Sequence, residues 1–358
     1  MAACKKIGEL RKEIDRIDAD IVRMINLRGE VTAEIGEIKR GSSQHVYRPE
    51  RESRVYEGAV KNNKGPLTDE CIKAVYREIM SGCLSLEQKV MVAYLGPELT
   101  FTNQAALKKF GASLDYAPCD SISEVFAEVE KENADYGVVP IENSTEGAVN
   151  HTLDMFVDSD LVICSEVYLD IRQNLLAVSP EAASIKRVYS HPSVFGQCRI
   201  WLEKNLPGAK LHEVASTAKA AEEASARPNS ACIASELAAK KYGLKIVARS
   251  IQDSAVNITR FLVIGRHTSG VSVKDKTSIV FSVQDTPGIL HELLGAFRKR
   301  NINLTKIESR PSKKTLWKYY FFVDMEGHMT TPGVKAALEE IEKKASFVKV
   351  LGSYPAGI

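Results

Sequence analysis

Apolar residues recur every three or four positions from Ile7 through Leu10, Ile14, Ile17, Ile21, Met24, Val31 and Ile35 to Ile38, and no proline interrupts them. That period marks one face of a helix, so it predicts a single helix over about residues 5–40. At 1.5 Å per residue such a helix is ~50 Å long. A helix of that length cannot bury its stripe in a small domain of its own. It requires a partner, most simply the same helix of a second chain, which makes the protein a homo-oligomer and at least a dimer. A second helix is predicted from Pro49, since proline suits the first helical turn. A third starts at Thr68, with Leu67 and Ile72 spaced as a hydrophobic staple. Asn62-Asn-Lys-Gly-Pro66 is the turn between them.

Three cations sit on the wrong face of the first helix. At about 100° per residue, Arg28 falls in the middle of the apolar stripe, Lys39 inside it and Arg11 at its edge. Cations in a buried stripe need anionic partners, and no run of acids shares this face. One such residue reads most simply as a long stem snorkelling to water. Three together point to a small polyanionic ligand within the helices. Arg51, Glu52 and Gln88, on the second and third helices, complete the polar set.

The remaining chain changes character. From Val90 to about His267 strands and helices alternate, predicting an α/β region with a mixed or parallel sheet in two lobes around a cleft. Ala134–Val139 reads as a strand that ends at Pro140. Pro140-Ile-Glu-Asn-Ser-Thr-Glu-Gly147 follows as a strand-to-helix turn, with Gly147 opening a helix over 148–157. Turns of this kind at the carboxyl ends of strands are where open α/β sheets bind ligands. Polar residues crowd two further turns, Ser190-His-Pro-Ser193 with Gln197, and Asn257-Ile-Thr-Arg-Phe261. Each also has a structural reading, as a helix cap or a sheet-surface pair. From about Lys276 to Tyr354 the pattern is βαββαβ, the ferredoxin-like order, with its first helix from Pro287 capped by Asp285 or Thr286.

Composition removes several functional classes. A net charge of +2 gives no electrostatic case for nucleic acid or an anionic membrane. No apolar run reaches the length of a membrane span, and the first residues show no signal-peptide core. The 7 cysteines include no Cys-x-x-Cys pair, which fits reduced thiols, a cytoplasmic setting and no metal site. Neither a nucleophile elbow nor a phosphate-binding glycine loop is present. A small-molecule lyase, isomerase or binding protein is what is left.

Three families match these residues. The helical region resembles the all-helical chorismate mutases, which dimerise through a long first helix. The resemblance rests on Arg11, Arg28, Lys39, Arg51, Glu52 and Gln88, with Tyr47-Arg-Pro-Glu-Arg-Glu52. It implies that Arg11 reaches into the other subunit's site and that Arg28 and Arg51 hold substrate carboxylates. Lys39 and Gln88 would contact the ether oxygen, and Glu52 the substrate hydroxyl. Leu84 stands where some members have a substrate-binding serine; Ser81 and Ser85 lie within a turn of it. The middle region resembles prephenate dehydratase through Val138-Val-Pro-Ile-Glu-Asn-Ser144, Ser190-His-Pro192 with Gln197, and Thr259-Arg-Phe261. That family has the two-lobed fold of periplasmic binding proteins. Thr259 would assist departure of the hydroxyl, while Glu142, Asn143, Ser144, Ser190, Gln197, Arg260 and Phe261 would line the site, without a cofactor. Leu99 departs from the family's Gly-Pro-x-Gly-Thr-Phe, and glycine there suggests a positive φ or a close backbone approach.

The last region resembles the ACT amino-acid-binding domain through Pro287-Gly-Ile-Leu290, Glu308-Ser-Arg-Pro311 and Trp317, with Lys318 where glutamate is common. Gly288, Ile289, Leu290, Glu308, Ser309, Arg310 and Pro311 would hold an effector, phenylalanine by resemblance. The expected domains are residues 1–89 (mutase), 90–267 (dehydratase) and 276–358 (ACT). Together they imply a bifunctional enzyme that takes chorismate to prephenate and prephenate to phenylpyruvate. An arogenate-preferring dehydratase and a non-catalytic aromatic-amino-acid sensor are the alternatives.

Overall fold

The structure, a computed structural model, describes residues 2–40, 47–179, 181, 184–284, 286–312 and 319–357. Asp285, Trp317 and Lys318 of the sequence motifs lie outside them. The chain divides into two units, Met1–Arg48 with Val55–Val90 and Phe110–Asp115, and Pro49–Arg54 with Met91–Lys109 and Tyr116–Ile358.

In the first unit the long apolar repeat forms one helix, α1 (Ala2–Arg40). Helix α2 (Pro49–Asn62), which belongs to this unit from Val55 onward, carries its proline at the first turn. Helix α3 (Asp69–Glu87) is capped by Thr68, whose hydroxyl accepts the Cys71 N–H at 3.3 Å. Gly29 and Gly36, two turns apart on α1, let α3 come close. A Cβ on Gly36 would lie 2.9 Å from the Glu87 Cα, and one on Gly29 3.2 Å from a Leu86 methyl. The apolar stripe on the earlier part of α1 stays bare. Ile7, Leu10, Ile14, Ile17, Ile21 and Met24 are each 47% to 55% exposed.

The second unit begins with a lobe built from β1 (Met91–Leu95), α4 (Phe101–Phe110), β2 (Asp115–Cys119), α5 (Ile122–Glu130), β3 (Tyr136–Asn143), β4 (Gly147–Ala148), α6 (Asn150–Asp158) and β5 (Val162–Asp170). Residues 171–173 cross to a second lobe. It contains β6 (Asn174–Ala177), β7 (Arg187–Ser190), α7 (Pro192–Gln197), α8 (Arg199–Asn205), β8 (Lys210–Glu213), α9 (Thr217–Ser225), β9 (Ser230–Ala234), α10 (Glu236–Lys241) and β10 (Lys245–Ala248). The chain returns through residues 249–257 to β11 (Ile258–Gly265), which inserts between β3 and β5. The sheets run β2-β1-β3-β11-β5 and β10-β6-β9-β7-β8, and both are mixed.

Two local expectations change here. β3 does not stop at Pro140 but continues to Asn143. Phe261 pairs with Pro140 and Arg260 with Glu142, so Ile141 is an extra residue. A bulge leaves one residue out of the ladder, and proline is tolerated beside it. Gly147, at φ 84, opens the short strand β4 rather than a helix, so the polar turn is a hairpin and α6 starts at Asn150. Beyond Ser190 the chain forms two helices, α7 and α8, which meet at Cys198.

The C-terminal segment forms β12 (Asp275–Ser282), α11 (Ile289–Arg298), β13 (Leu304–Pro311), β14 (Tyr319–Glu326), α12 (Pro332–Glu342) and β15 (Phe347–Pro355), in the sheet order β13-β14-β12-β15. The βαββαβ order is as expected. Helix α11 starts after Gly288, which occupies the cap position at φ 82, and not at Pro287. One sheet face packs on α11 and α12 through Leu293, Phe297, Val334 and Ile341. The other shares a core with the first lobe. Val280, Phe322, Leu351 and Tyr354 pack with Phe156, Ile163 and Leu262. Gly352 is required there, because a Cβ would sit 2.3 Å from the carbonyl oxygen of Ile163.

Candidate active sites

In the helical unit the cation in the middle of the stripe is the one with capacity left over. Arg28 Nη1 is buried and has no hydrogen-bond partner among the described residues. A buried guanidinium nitrogen without an acceptor costs free energy unless a ligand supplies one. Arg11, Arg51 and Gln88 are exposed, and the Gln88 backbone N–H caps α3. Lys39 corrects the expectation that no acid serves the stripe. Its Nζ lies 2.8 Å from Glu87 Oε2, with both side chains nearly buried. The acid comes from α3, so no reading of α1 alone could find it. Ser81 accepts the Ser113 N–H at 3.1 Å and Ser85 bonds the Gly82 carbonyl, so both hydroxyls near Leu84 are engaged locally. Glu52 pairs with Lys109 at 2.7 Å within the second unit.

In the second unit a chain of side-chain amides crosses from lobe to lobe. Asn143 Nδ2 donates to Thr259 Oγ1 at 2.8 Å and to Asn257 Oδ1 at 2.7 Å. Asn257 Nδ2 and Gln173 Nε2 both donate to Gln197 Oε1, at 2.9 and 3.1 Å. Gln197 Nε2 returns to Glu146 of the first lobe at 3.3 Å. Asn143 is held by its own turn, since its Oδ1 accepts the N–H groups of Thr145 and Glu146. An accepted bond at Thr259 leaves its O–H to be donated elsewhere. Asn257 belonged to a turn whose polarity was visible in the sequence. Gln173 and Glu146 gave no separate signal.

Other expected residues have structural duties. Ser190 is fully buried and donates to the Ile233 carbonyl at 2.9 Å, tying β7 to β9. Ser144 Oγ accepts the Ile258 N–H at 3.0 Å, and Phe261 is a core side chain. Leu99 has φ 69, the conformation that glycine adopts without strain. Its N–H donates to Asn103 and its carbonyl accepts from Ser235 of the second lobe.

Glu142 and Arg260 do not join this set. Side chains alternate along a strand, and Thr259 pairs with Asn143 while Arg260 pairs with Glu142. The first pair meets the amide chain and the second faces the C-terminal sheet. Arg260 donates to Glu166 at 2.7 Å, to Asp324 at 2.5 Å and to Tyr354 at 2.9 Å. Burial alone would lower the pKa of its guanidinium, but Tyr354, Asp324 and Glu166 reverse that and hold it above the ordinary arginine range. Lys276 shares Glu166 at 2.8 Å. Glu142 meets Lys306 of β13 at 2.8 Å. Arg260 is therefore committed within the protein rather than open to a substrate carboxylate.

On the C-terminal sheet the expected effector residues divide by face. Lys306 and Arg310 of β13 reach the first lobe, Arg310 at 3.3 Å from Asp154, and Glu308 lies between them in the same alternation. Ser309 and Pro311 are exposed. Gly288 has open space beside it, whereas Ile289 and Leu290 lean on the core under α11. Among the described residues no group of His, Cys, Asp and Glu could hold a metal ion, and no helix is long and apolar enough to cross a membrane.

Comparison with known proteins gives the same three parts in the same order. Residues 10–88 match chorismate mutase type II, 92–269 prephenate dehydratase and 277–343 the ACT domain. A bifunctional chorismate mutase/prephenate dehydratase of Aquifex aeolicus is 51% identical over 358 residues, 99% of each chain. Another from Stutzerimonas stutzeri is 45% identical over the whole of both chains. Among solved structures, a prephenate dehydratase from Arthrobacter aurescens in complex with L-Phe superposes with TM-score 0.69 at 34% identity, covering 74% of this chain and 90% of that one. With all three segments present and relatives matching from end to end, the chain belongs to the bifunctional chorismate mutase/prephenate dehydratase family.

Proposed function

We propose that two successive reactions of phenylalanine biosynthesis run at the two sites just described. In the helices chorismate rearranges to prephenate. This step needs no nucleophile and no proton transfer. It needs both carboxylates held in a folded conformer and charge stabilised at the breaking ether bond. Arg28 binds one carboxylate through its open nitrogen and Arg51 the other. Lys39, shared with Glu87, and Gln88 serve the ether oxygen, and Glu52 takes the substrate hydroxyl. Arg11 completes the site of a second chain, and the bare flank of α1 is the surface on which the two chains pair. In the cleft prephenate loses carbon dioxide and hydroxide together and aromatises to phenylpyruvate. Thr259 donates a hydrogen bond to the departing hydroxide and keeps its proton, with Asn143 fixing its oxygen.

The observation that carries this reading is the bond from Asn143 to Thr259 at 2.8 Å, within the amide chain that links the lobes, which leaves the Thr259 O–H to be donated to another acceptor. The division into residues 1–89, 90–267 and 276–358, the cytoplasmic setting and regulation by phenylalanine at Gly288 and Glu308–Pro311 belong to the same proposal. Incubating the purified protein with chorismate, with and without phenylalanine, and identifying the products tests it. Prephenate followed by phenylpyruvate, the second suppressed by phenylalanine, is the expected outcome. Prephenate as the only product would remove the dehydratase assignment.

A further inference from the structure

The strand pair β3–β11 carries the amide site on one face and a charged cluster on the other. Asn143 and Glu142 are consecutive residues, as are Thr259 and Arg260, so each residue of the site has a neighbour held from the C-terminal sheet. The two holds differ in kind. Arg260 is buried, with Glu166, Asp324 and Tyr354 around it, and behaves as a fixed anchor. Glu142 keeps 40% of its side chain exposed, and Lys306 is its link to the C-terminal sheet. That contact is short but poorly aligned for a hydrogen bond, so it acts mainly through charge. A cavity of about 240 Å³, lined in part by Glu142, Ser144, Lys276 and Lys306, lies beside it and leaves room for the lysine to move.

Lys306 is also well placed along its own strand. It lies two residues before Glu308 on the same face of β13, the edge strand of its sheet. Displacement of the Glu308–Pro311 end of β13 therefore carries Lys306 with it. We propose that Lys306 is a positioning residue through which the C-terminal sheet acts on the dehydratase site, by way of Glu142 and the adjoining Asn143–Thr259 pair. The proposal rests on the reading of residues 308–311 as part of a phenylalanine site. An effector bound there shifts β13, loosens or tightens the Lys306–Glu142 contact, and changes how Asn143 presents Thr259. A ligand outside the cleft can act only by such a preference between two arrangements.

The test uses the full-length protein and prephenate as substrate. Phenylpyruvate formation is titrated with phenylalanine, and phenylalanine binding is measured separately by calorimetry. Lys306→Met should lower the maximal inhibition at saturating phenylalanine, leaving about tenfold more residual activity than wild type, within the usual span of coupling between sites. The dissociation constant for phenylalanine should move by less than about threefold. Lys306→Arg keeps the charge and should stay inhibitable within about threefold of wild type. Should Lys306→Met fail to fold, Lys306→Gln makes the same removal of charge with a polar stem. Inhibition of either neutral variant to the wild-type extent would overturn the proposal. So would loss of binding together with inhibition, since Lys306 would then belong to the effector site itself. Wild-type protein separates the two readings: if it neither binds phenylalanine nor is inhibited, regulation fails and the relay with it. If it is inhibited and the neutral variants match it, only the relay fails.

Discussion

The two sites differ in what one chain provides. In the helical unit α1 buries Gly29 and Gly36 against α3 and leaves the flank from Ile7 to Met24 half exposed, while Arg28 keeps a buried nitrogen without an acceptor among the described residues. In the second unit Asn143, Thr259, Asn257, Gln197, Gln173 and Glu146 bond to one another across both lobes. On the reading proposed above, the helical site is completed by a second copy of the chain. A site between two lobes, each with its own core, is finished within the chain. Where a site lies relative to a closed hydrophobic core thus decides whether assembly is part of the chemistry.

The largest expected effect concerns the self-contained site. Thr259→Val should lower dehydratase turnover by about 10²–10³, the usual worth of a positioned hydrogen-bond donor, without affecting the mutase. Mixing it with another dehydratase-dead variant such as Asn143→Ala should recover nothing, as each chain builds its own cleft. Recovery in verified mixed oligomers would break the contrast. Next come Arg11→Ala and Arg28→Ala, each expected to cost the mutase about a hundredfold through lost charged hydrogen bonds. Co-refolded together they should regain about a quarter of wild-type activity, because half the dimers carry one intact site of two. Failure to regain any would make the helical site as self-contained as the cleft.

A smaller effect probes a part of the helical site that the chain does satisfy alone. Lys39→Met strips Glu87 of its partner in a nearly buried setting and should cost about 3 kcal/mol in denaturant unfolding. Adding Glu87→Gln should restore most of that stability without restoring the mutase. A single variant as stable as wild type would show the ion pair to be dispensable. The smallest concerns the β1–α4 loop of the first lobe, which accepts a hydrogen bond from Ser235 of the second at Leu99. Leu99→Gly relieves about 1 kcal/mol of left-handed strain and loses a similar amount to glycine's freedom in the unfolded chain. Dehydratase kcat/KM should therefore change by less than about threefold, with the melting temperature nearly constant. A strong loss would mean that the leucine side chain itself shapes the cleft.

Much of this was legible without coordinates. Periodicity predicted α1, and Pro49 and Thr68 marked the starts of α2 and α3. The βαββαβ order was readable from residue types, and the positive φ at residue 99 followed from the resemblance to the dehydratase pattern, which has glycine there. These are local properties: a helical repeat, a cap or a glycine-like conformation depends on a few adjacent residues. The Pro140 turn was misread because a bulge is a property of the strand pair, and β11 lies more than a hundred residues away.

The sequence by itself determined which residue types gather in each turn, that the chain has helical, two-lobed and ferredoxin-like parts, and that α1 has an apolar face too long for its own domain. Only the tertiary structure decided what each face meets. Strand alternation says that Glu142 and Asn143 point opposite ways, but not which way leads to the cleft. That depended on the C-terminal sheet packing Tyr354 and Phe322 against the first lobe and presenting Asp324 and Lys306 to the far face. Likewise Lys39 found Glu87 on another helix, and Thr259 found Asn143 on another strand. Charge and hydrogen bonding act over a few ångströms in space, so partners distant along the chain are fixed only once the cores have closed.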